Sequence, residues 1–172
     1  ASLIAIATAA QAGGFVSYGV DQVTDRVSNQ QSIAQYVRAG TSLGGFNLGL
    51  QNRNARTNDN QSMFNSLELT AGKTVFGINP FVGVGFDNGG NGDKPYEYGL
   101  VGANAGAKVG PGYAMVGAKT RVNWNSANPK QSVAFVSYDM PVISKVSVGV
   151  GVSQSYQDIQ DRAVGLTVSV GF

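Results

Sequence analysis

The chain has 172 residues, of which 13% are charged, and its 12 basic and 10 acidic side chains give a net charge of +2. This length suits a single domain, and the small charge argues against binding to nucleic acid. The sequence contains no cysteine and no histidine. A disulfide framework, a thiolate metal site and a Ser-His-Asp catalytic triad are therefore excluded, and we expect no enzymatic activity, no metal and no cofactor.

Residues 1–12 form an uncharged run of small and aliphatic residues that ends in Ala10-Gln11-Ala12. This pattern resembles the apolar region and the cleavage site of a secretory signal peptide. We predict that the segment is a cleaved leader or an ordered plug, and that the main domain covers residues 13–172. Twelve residues are too few to cross a bilayer as a helix.

The rest of the chain alternates apolar residues with small or polar ones at every second position, which predicts β-strands. Near the C-terminus, for example, Val164 and Leu166 alternate with Gly165 and Thr167. About ten strands are predicted, with eight as the alternative count. The ten lie near residues 14–24, 31–42, 45–55, 62–73, 79–87, 96–109, 112–124, 131–140, 145–156 and 162–172.

The connections between these strands alternate in length. Short ones lie near residues 43–45, 74–78, 110–111 and 141–144, and longer polar ones near 24–30, 54–61, 88–95, 125–130 and 157–161. In an antiparallel sheet, this alternation collects the short turns at one end and the long loops at the other. An even number of strands also returns both termini to the end with the short turns.

These features resemble small bacterial outer-membrane β-barrels, both porin-like and OmpA-like, which have even strand numbers, short periplasmic turns and longer external loops. The resemblance implies an all-β, closed antiparallel transmembrane barrel in the outer membrane of a Gram-negative bacterium. It also implies two partners, the membrane lipid and the outer-membrane insertion machinery. The predicted insertion signal is the C-terminal set Leu166, Val168, Val170 and Phe172. A soluble sandwich or a lipocalin-like barrel is the alternative that alternation alone leaves open.

Aromatic residues gather near the ends of the predicted strands, which is typical of the girdles that mark the two membrane interfaces. The predicted girdle at the end with the short turns contains Phe15, Phe46, Phe81, Tyr113 and Tyr138. The predicted girdle at the end with the long loops contains Phe86, Tyr96, Tyr98, Trp124 and Tyr156.

The aliphatic face must point toward lipid, which assigns a set of charged residues to the barrel interior. These predicted pore-lining residues are Asp21, Arg38, Glu68, Lys119, Arg121 and Asp139. Oppositely charged members either pair and fill the lumen or line a channel. The interior glycines Gly49, Gly83, Gly85, Gly117, Gly149 and Gly151 remove side-chain volume. They either leave a thin water path, or only allow strong strand coiling or receive a plug such as residues 1–12.

The pattern therefore supports two functional hypotheses. The first is a narrow, weakly selective passive channel for ions or small solutes, in which Arg38, Lys119 and Arg121 supply positive potential and Asp21 and Glu68 oppose it. The alternative is a closed structural barrel whose external loops mediate surface interaction, adhesion or assembly with a partner. A second copy of the chain is one such partner.

Overall fold

The computed structural model describes residues 13–57, 63–89 and 94–172, which form ten β-strands. None of these residues belongs to a helix that could cross a bilayer. The predicted leader or plug, residues 1–12, lies outside the described residues. The strands are β1 (Gly14–Asp25), β2 (Gln31–Leu43), β3 (Phe46–Thr57), β4 (Met63–Gly72), β5 (Ile78–Asp87), β6 (Tyr96–Val109), β7 (Gly112–Asn123), β8 (Gln131–Ile143), β9 (Val146–Gln157) and β10 (Asp161–Gly171).

The strands form one closed antiparallel barrel in which each strand pairs with its neighbours in the sequence. The first and last strands close the sheet through a continuous register that runs from Phe15 opposite Gly171 to Asp25 opposite Asp161. Closure leaves no free sheet edge, so the strand backbone is hydrogen-bonded without help from solvent. The predicted ten-stranded barrel is confirmed, and the sandwich alternative is wrong.

The two ends of the barrel differ as the connection lengths predict. The turn end carries the short turns 44–45, 73–77, 110–111 and 144–145, together with Gly14 and Phe172, whose backbones hydrogen-bond each other at 3.1 and 2.9 Å. Gly44 and Gly45 have φ values of 59° and 80°, which suit a two-residue hairpin turn. The loop end carries the connections 26–30, 124–130 and 158–160, together with the ends of β3, β4, β5 and β6.

Strand β8 runs three residues further toward the turn end than the sequence predicts. Proline lacks a backbone N–H donor, so Pro141 favours an earlier end to the strand. The pairing of β8 with β9 shifts register between Pro141 and Ile143, and this irregularity lets the strand continue past the proline. The predicted bounds of all ten strands lie within three residues of the observed ones.

The outer surface of the barrel is an apolar belt. Along each strand, every second side chain points outward, and most of these outward side chains are valine, leucine or alanine. Large apolar groups are therefore exposed on every strand. Such a continuous apolar surface fits lipid and not water, which excludes a soluble lipocalin-like barrel. Members of the belt are Val20, Val37, Leu50, Leu69, Val84, Val101, Val116, Val136, Val150 and Leu166.

The belt gives way to polar side chains toward the loop end. On the outward face of β3 and β4, Asn52, Asn54 and Asn65 form a closed ring of side-chain hydrogen bonds. The donor-acceptor distances are 3.3 Å from Asn52 to Asn65, 3.0 Å from Asn54 to Asn52 and 2.6 Å from Asn65 to Asn54. These strands therefore extend beyond the apolar belt into a polar environment.

Candidate functional site in the barrel interior

All six predicted pore-lining residues lie on the inner face of the barrel. Four of them are almost inaccessible to solvent: Asp21 is 0% exposed, Glu68 1%, Arg38 3% and Lys119 5%. Arg121 and Asp139 are half-buried. The assignment to the interior follows from strand alternation and the cost of placing charge in lipid. The role of these residues in conduction stays a prediction.

An ion pair crosses the middle of the interior. The Lys119 ammonium on β7 lies 2.5 Å from the Glu68 carboxylate on β4, although two strands separate β4 from β7 in the sheet. Tyr98 on β6 donates a second hydrogen bond to the other carboxylate oxygen at 3.1 Å. Glu68 is therefore bonded through both oxygens, which offsets the cost of its burial.

Arg121 extends this group toward the loop end. Its guanidinium stacks over the Tyr98 ring, 4.1 Å from the ring centroid. The same guanidinium donates to the Tyr96 hydroxyl at 2.8 Å and to the Asp87 carboxylate at 3.4 Å. We call Glu68, Tyr98, Lys119, Arg121 and Asp87 the central cluster. Cation-π stacking and hydrogen bonding together fix the orientation of the arginine.

A second polar group lies on β2, β3 and β10. The Arg38 guanidinium stacks over the Tyr36 ring at 3.9 Å and donates to the Gln51 side-chain carbonyl at 2.8 Å. The Tyr36 hydroxyl shares a 2.9 Å hydrogen bond with Thr167 on β10. Every large side chain in this group thus contacts another one across the strands.

The sequence reasoning missed several members of these groups. Positive charge acts on Asp21 from Arg53 as well as from Arg38, and Arg53 was not among the predicted interior residues. Asp87 ends β5 on the inner face and binds Arg121, and it is likewise absent from the predicted pore-lining residues. Strict alternation along β3 and β5 is the signal that would have found both residues.

Half of the predicted girdle residues require correction. Tyr98 and Phe81 are buried inside the barrel, because they share strand faces with Leu100 and Gly85 and not with the outward valines. Position near a strand end predicts membrane depth, but only alternation decides which face a ring occupies. The inward rings are Phe15, Phe81, Tyr96, Tyr98 and Tyr113. The outward rings are Phe46, Phe86, Trp124, Tyr138 and Tyr156, whose girdle role stays a prediction.

The residues of the predicted insertion signal are all on the outer face of β10. Leu166, Val168, Val170 and Phe172 are exposed, and the Phe172 ring covers Gly14 at the seam between the first and last strands. A β-carbon at Gly14 would come within 2.6 Å of this ring. Recognition of the segment by the insertion machinery stays a prediction.

Interior glycines hold neighbouring side chains. Gly19, Gly85, Gly102 and Gly117 lie directly opposite Tyr36, Tyr98, Phe81 and Phe135 in the strand register, and a β-carbon at any of these glycines would collide with the opposite ring. Gly149 and Gly165 likewise receive the carboxylates of Asp139 and Asp21. The space at Gly85, Gly117 and Gly149 is therefore filled by neighbouring side chains, which at these three positions argues against the water path and for a filled interior.

Apolar side chains occupy part of the interior at the loop end. Val23, Ala34, Ala55 and Ala163 form a buried cluster on β1, β2, β3 and β10, and Phe64 packs against it. Such a cluster leaves a permeating ion without polar partners on this side of the lumen. Apolar packing thus occupies one side of the loop-end interior, and the ion pair between Glu68 and Lys119 crosses the interior at mid-height.

Some buried polar atoms of the interior have no hydrogen-bonding partner among the described residues. Buried polar groups of this kind normally bond to water molecules held in the structure. The atoms are both carboxylate oxygens of Asp21, Arg38 Nη2, Gln51 Nε2, Arg53 Nε, Asn79 Nδ2, Asn104 Nδ2, Arg121 Nε, Asn123 Oδ1, Ser137 Oγ and Ser153 Oγ.

Comparison with solved structures supports the class suggested by this geometry. The β domain of the Bordetella autotransporter BrkA is 9% identical, with a TM-score of 0.50 over 94% of this chain and 99% of that chain. The chain has the fold of bacterial outer-membrane β-barrels. Neisserial surface protein A is 8% identical with a TM-score of 0.49, over 94% of this chain and 98% of that chain. At these identities the similarity shows the fold alone.

No protein-family model and no curated protein matches the chain. The outer-membrane location therefore depends on the closed sheet, the apolar belt and the shared fold. Among the described residues, no three acidic side chains come together to hold a metal ion. The lack of a metal and of a cofactor stays a prediction.

Proposed function

We propose that the chain is a closed outer-membrane barrel that presents its loop-end surface outside the cell for recognition of a partner. The observation that carries this proposal is the burial of Asp21, Arg38, Glu68 and Lys119, none of which is more than 5% exposed. Charged groups that line an aqueous pore are bathed by its water, whereas these groups are covered by one another and by aromatic rings. The barrel then serves as a rigid anchor.

Hydrogen bonds at the loop end support a recognition role. The Asn123 amide donates to the carbonyls of Asn128 and Pro129, both at 2.9 Å. The connection 124–130 is tied to 158–160, because the Lys130 N–H donates to the Asp158 carboxylate at 2.8 Å and the Asp158 N–H donates to the Lys130 carbonyl at 3.2 Å. A surface already held in one conformation loses less entropy when it binds a partner.

A narrow passive channel is the second candidate function. It is favoured by the unpartnered polar atoms of the interior, among them Asn104 Nδ2 and Ser153 Oγ, because water molecules bound to such atoms could connect into a path. In that case Arg38, Lys119 and Arg121 supply the positive potential that acts on a passing ion.

Current through a planar bilayer separates the two candidates. The full chain is refolded in detergent and checked for β-structure by circular dichroism and for altered electrophoretic mobility on heating. A closed barrel inserts without current, and the Tyr98→Ala/Arg121→Ala variant then opens discrete steps. The Tyr156→Ala variant alters an outward ring and serves as a silent control.

Discrete steps from the unaltered chain would contradict the closed barrel and support the channel. The selectivity of the current then tests the lumen charges directly. Replacing Lys119 and Arg121 with glutamine removes two positive charges and is expected to shift the reversal potential toward cations. An unchanged reversal potential would show that Lys119 and Arg121 do not determine ion selectivity.

A further inference from the structure

The loop end contains a cleft of about 1100 Å³ beside the barrel wall. It lies between the ends of β4, β5 and β6 and the connections 124–130 and 158–160. Asp87, Tyr96 and Phe64 join the cleft to the loop-end edge of the interior groups, whereas its other walls, among them Phe86, Glu97 and Trp124, belong to the outer face and the connections. Its walls include Phe64, Tyr96, Glu97, Trp124, Asn128 and Asp158.

One wall of the cleft is a fixed and exposed indole. Trp124 is 66% exposed, and its ring lies against the outer wall at Gly99, where a β-carbon would come within 3.3 Å of the indole Cη2 atom. Phe86, also exposed, lines the same cleft. The lack of a side chain at Gly99 thus leaves room for the edge of the indole against the strand, while most of the tryptophan surface stays exposed to a ligand.

The polar groups of the cleft include both donors and acceptors. Glu97 lies opposite Phe86 in the strand register and is exposed, and its carboxylate forms no hydrogen bond or ion pair with the described residues. The Asn128 side-chain amide adds a donor and an acceptor, and Lys94 adds an ammonium. One Asp158 carboxylate oxygen accepts from the Lys130 backbone, which fixes this side chain at the rim.

We propose that this cleft binds a saccharide, with one sugar ring stacked on Trp124 and its hydroxyl groups hydrogen-bonded to Glu97 and Asn128. A pyranose ring has an apolar C–H face and a rim of hydroxyl groups, each of which both donates and accepts. An aromatic face beside a carboxylate and an amide matches both parts of such a ligand.

The saccharide site rests on the proposed recognition function of the loop end. The saccharide can come from two sources, a glycolipid headgroup or a free oligosaccharide. Glu97 and Trp124 are on the outward face at the loop-end border of the apolar belt, where the headgroups of a glycolipid lie. The cleft also reaches the connections above the barrel, where a free oligosaccharide has access.

Trp124 is the only tryptophan of the chain, so its fluorescence reports directly on the cleft. The full chain, folded in detergent micelles, is titrated with three probes: rough lipopolysaccharide, the delipidated core oligosaccharide, and phosphatidylglycerol as an amphiphile without a saccharide. A saturable change with the oligosaccharide indicates a free saccharide, and a saturable change with the lipopolysaccharide alone indicates a glycolipid headgroup. No saturable change with either sugar probe, or an equal change with phosphatidylglycerol, overturns the proposal.

Variants connect the signal to the named residues. Glu97→Gln is expected to weaken binding about tenfold, because it replaces a charge-assisted hydrogen bond by a neutral one. Asp139→Asn changes a carboxylate at the opposite end of the barrel and is the matched control, with unchanged affinity. Calorimetric titration of Trp124→Ala, which has no fluorescence signal of its own, is expected to show loss of the binding heat; unchanged heat contradicts the stacking.

The result can be separated from the test of the proposed function. Glu97 is on the outer face, so its substitution leaves the lumen closed and the bilayer silent. A silent barrel that binds neither sugar probe refutes only the saccharide site. A conducting barrel that binds them refutes only the closed lumen.

Discussion

Two levels of the barrel interior carry charged residues under different physical conditions. At mid-height, Glu68 and Lys119 are buried and contact each other directly. At the turn end, Asp139 is half-buried and Lys108 is exposed, and no described residue forms an ion pair with either of them. Both levels follow the same strand alternation, so the inward position alone does not decide how a charge is stabilised.

This difference predicts how strongly each charged residue affects the free energy of unfolding. A buried charge loses most of its hydration and depends on its partner, so loss of that partner is costly. A charge near the rim keeps its hydration, so loss of a neighbour has little effect. Substitutions at the two levels should therefore give very different changes in the free energy of unfolding.

The largest effect is expected for Lys119→Met, which removes the cation from the buried Glu68 carboxylate. We expect a loss of about 3–5 kcal/mol in the free energy of unfolding, because a charge is left buried without its counterion. The measurement is urea-induced unfolding of the barrel folded in phospholipid vesicles, followed through Trp124 fluorescence. The turn-end control Asp139→Asn should change the value by less than about 0.5 kcal/mol.

A double variant identifies the cause. Glu68→Gln/Lys119→Met removes both charges, and it should recover a large part of the loss because no unpaired charge is left buried. If Lys119→Met lowers the free energy of unfolding by less than about 1 kcal/mol, as the turn-end control does, the prediction is wrong. Water would then reach Glu68, and charges at the two levels would be equally hydrated.

The glycines of the interior allow a second test, at intermediate magnitude. Gly117→Ala places a methyl group against the Phe135 ring and is expected to cost about 1–3 kcal/mol through overpacking. Gly171 at the turn end is the matched control, since the nearest atom to a β-carbon there is 3.8 Å away. Gly171→Ala should be neutral or slightly stabilising. Equal effects in the same unfolding assay would mean that the glycines do not hold the rings in place.

Strands and closure were predictable because they depend on local pattern. The bounds of β6, Tyr96–Val109, match the prediction at both ends, since a polar loop precedes the strand and Gly110-Pro111 follows it. Alternation also assigned Glu68 and Lys119 to the interior. Each of these inferences needs only neighbouring residues, the cost of charge in lipid and the requirement for closure in a bilayer.

The contacts inside the barrel were not predictable in the same way. Glu68 and Lys119 are 51 positions apart, and their contact depends on the stagger of four strands around the barrel. The position of Tyr98 near a strand end predicts a girdle, whereas its face depends on the alternation along β6, which points it inward. The pairing of Gly85 with Tyr98 becomes visible only when the register is known.

The smallest effect is expected at the Arg121–Asp87 pair, which lies between the two levels in environment. The side chains are 8% and 12% exposed, their nearest atoms are 3.4 Å apart, and Arg121 keeps its contacts with Tyr96 and Tyr98 when Asp87 is changed. Asp87→Asn should therefore cost about 1 kcal/mol or less. Repeating the unfolding measurement at high salt should reduce this difference, because salt screens a partly exposed pair more than a buried one. A loss of unfolding free energy close to that of Lys119→Met, and insensitive to salt, would contradict this prediction. It would show that Asp87 is shielded from solvent as Glu68 is, and that the solvent-free part of the lumen reaches the end of β5.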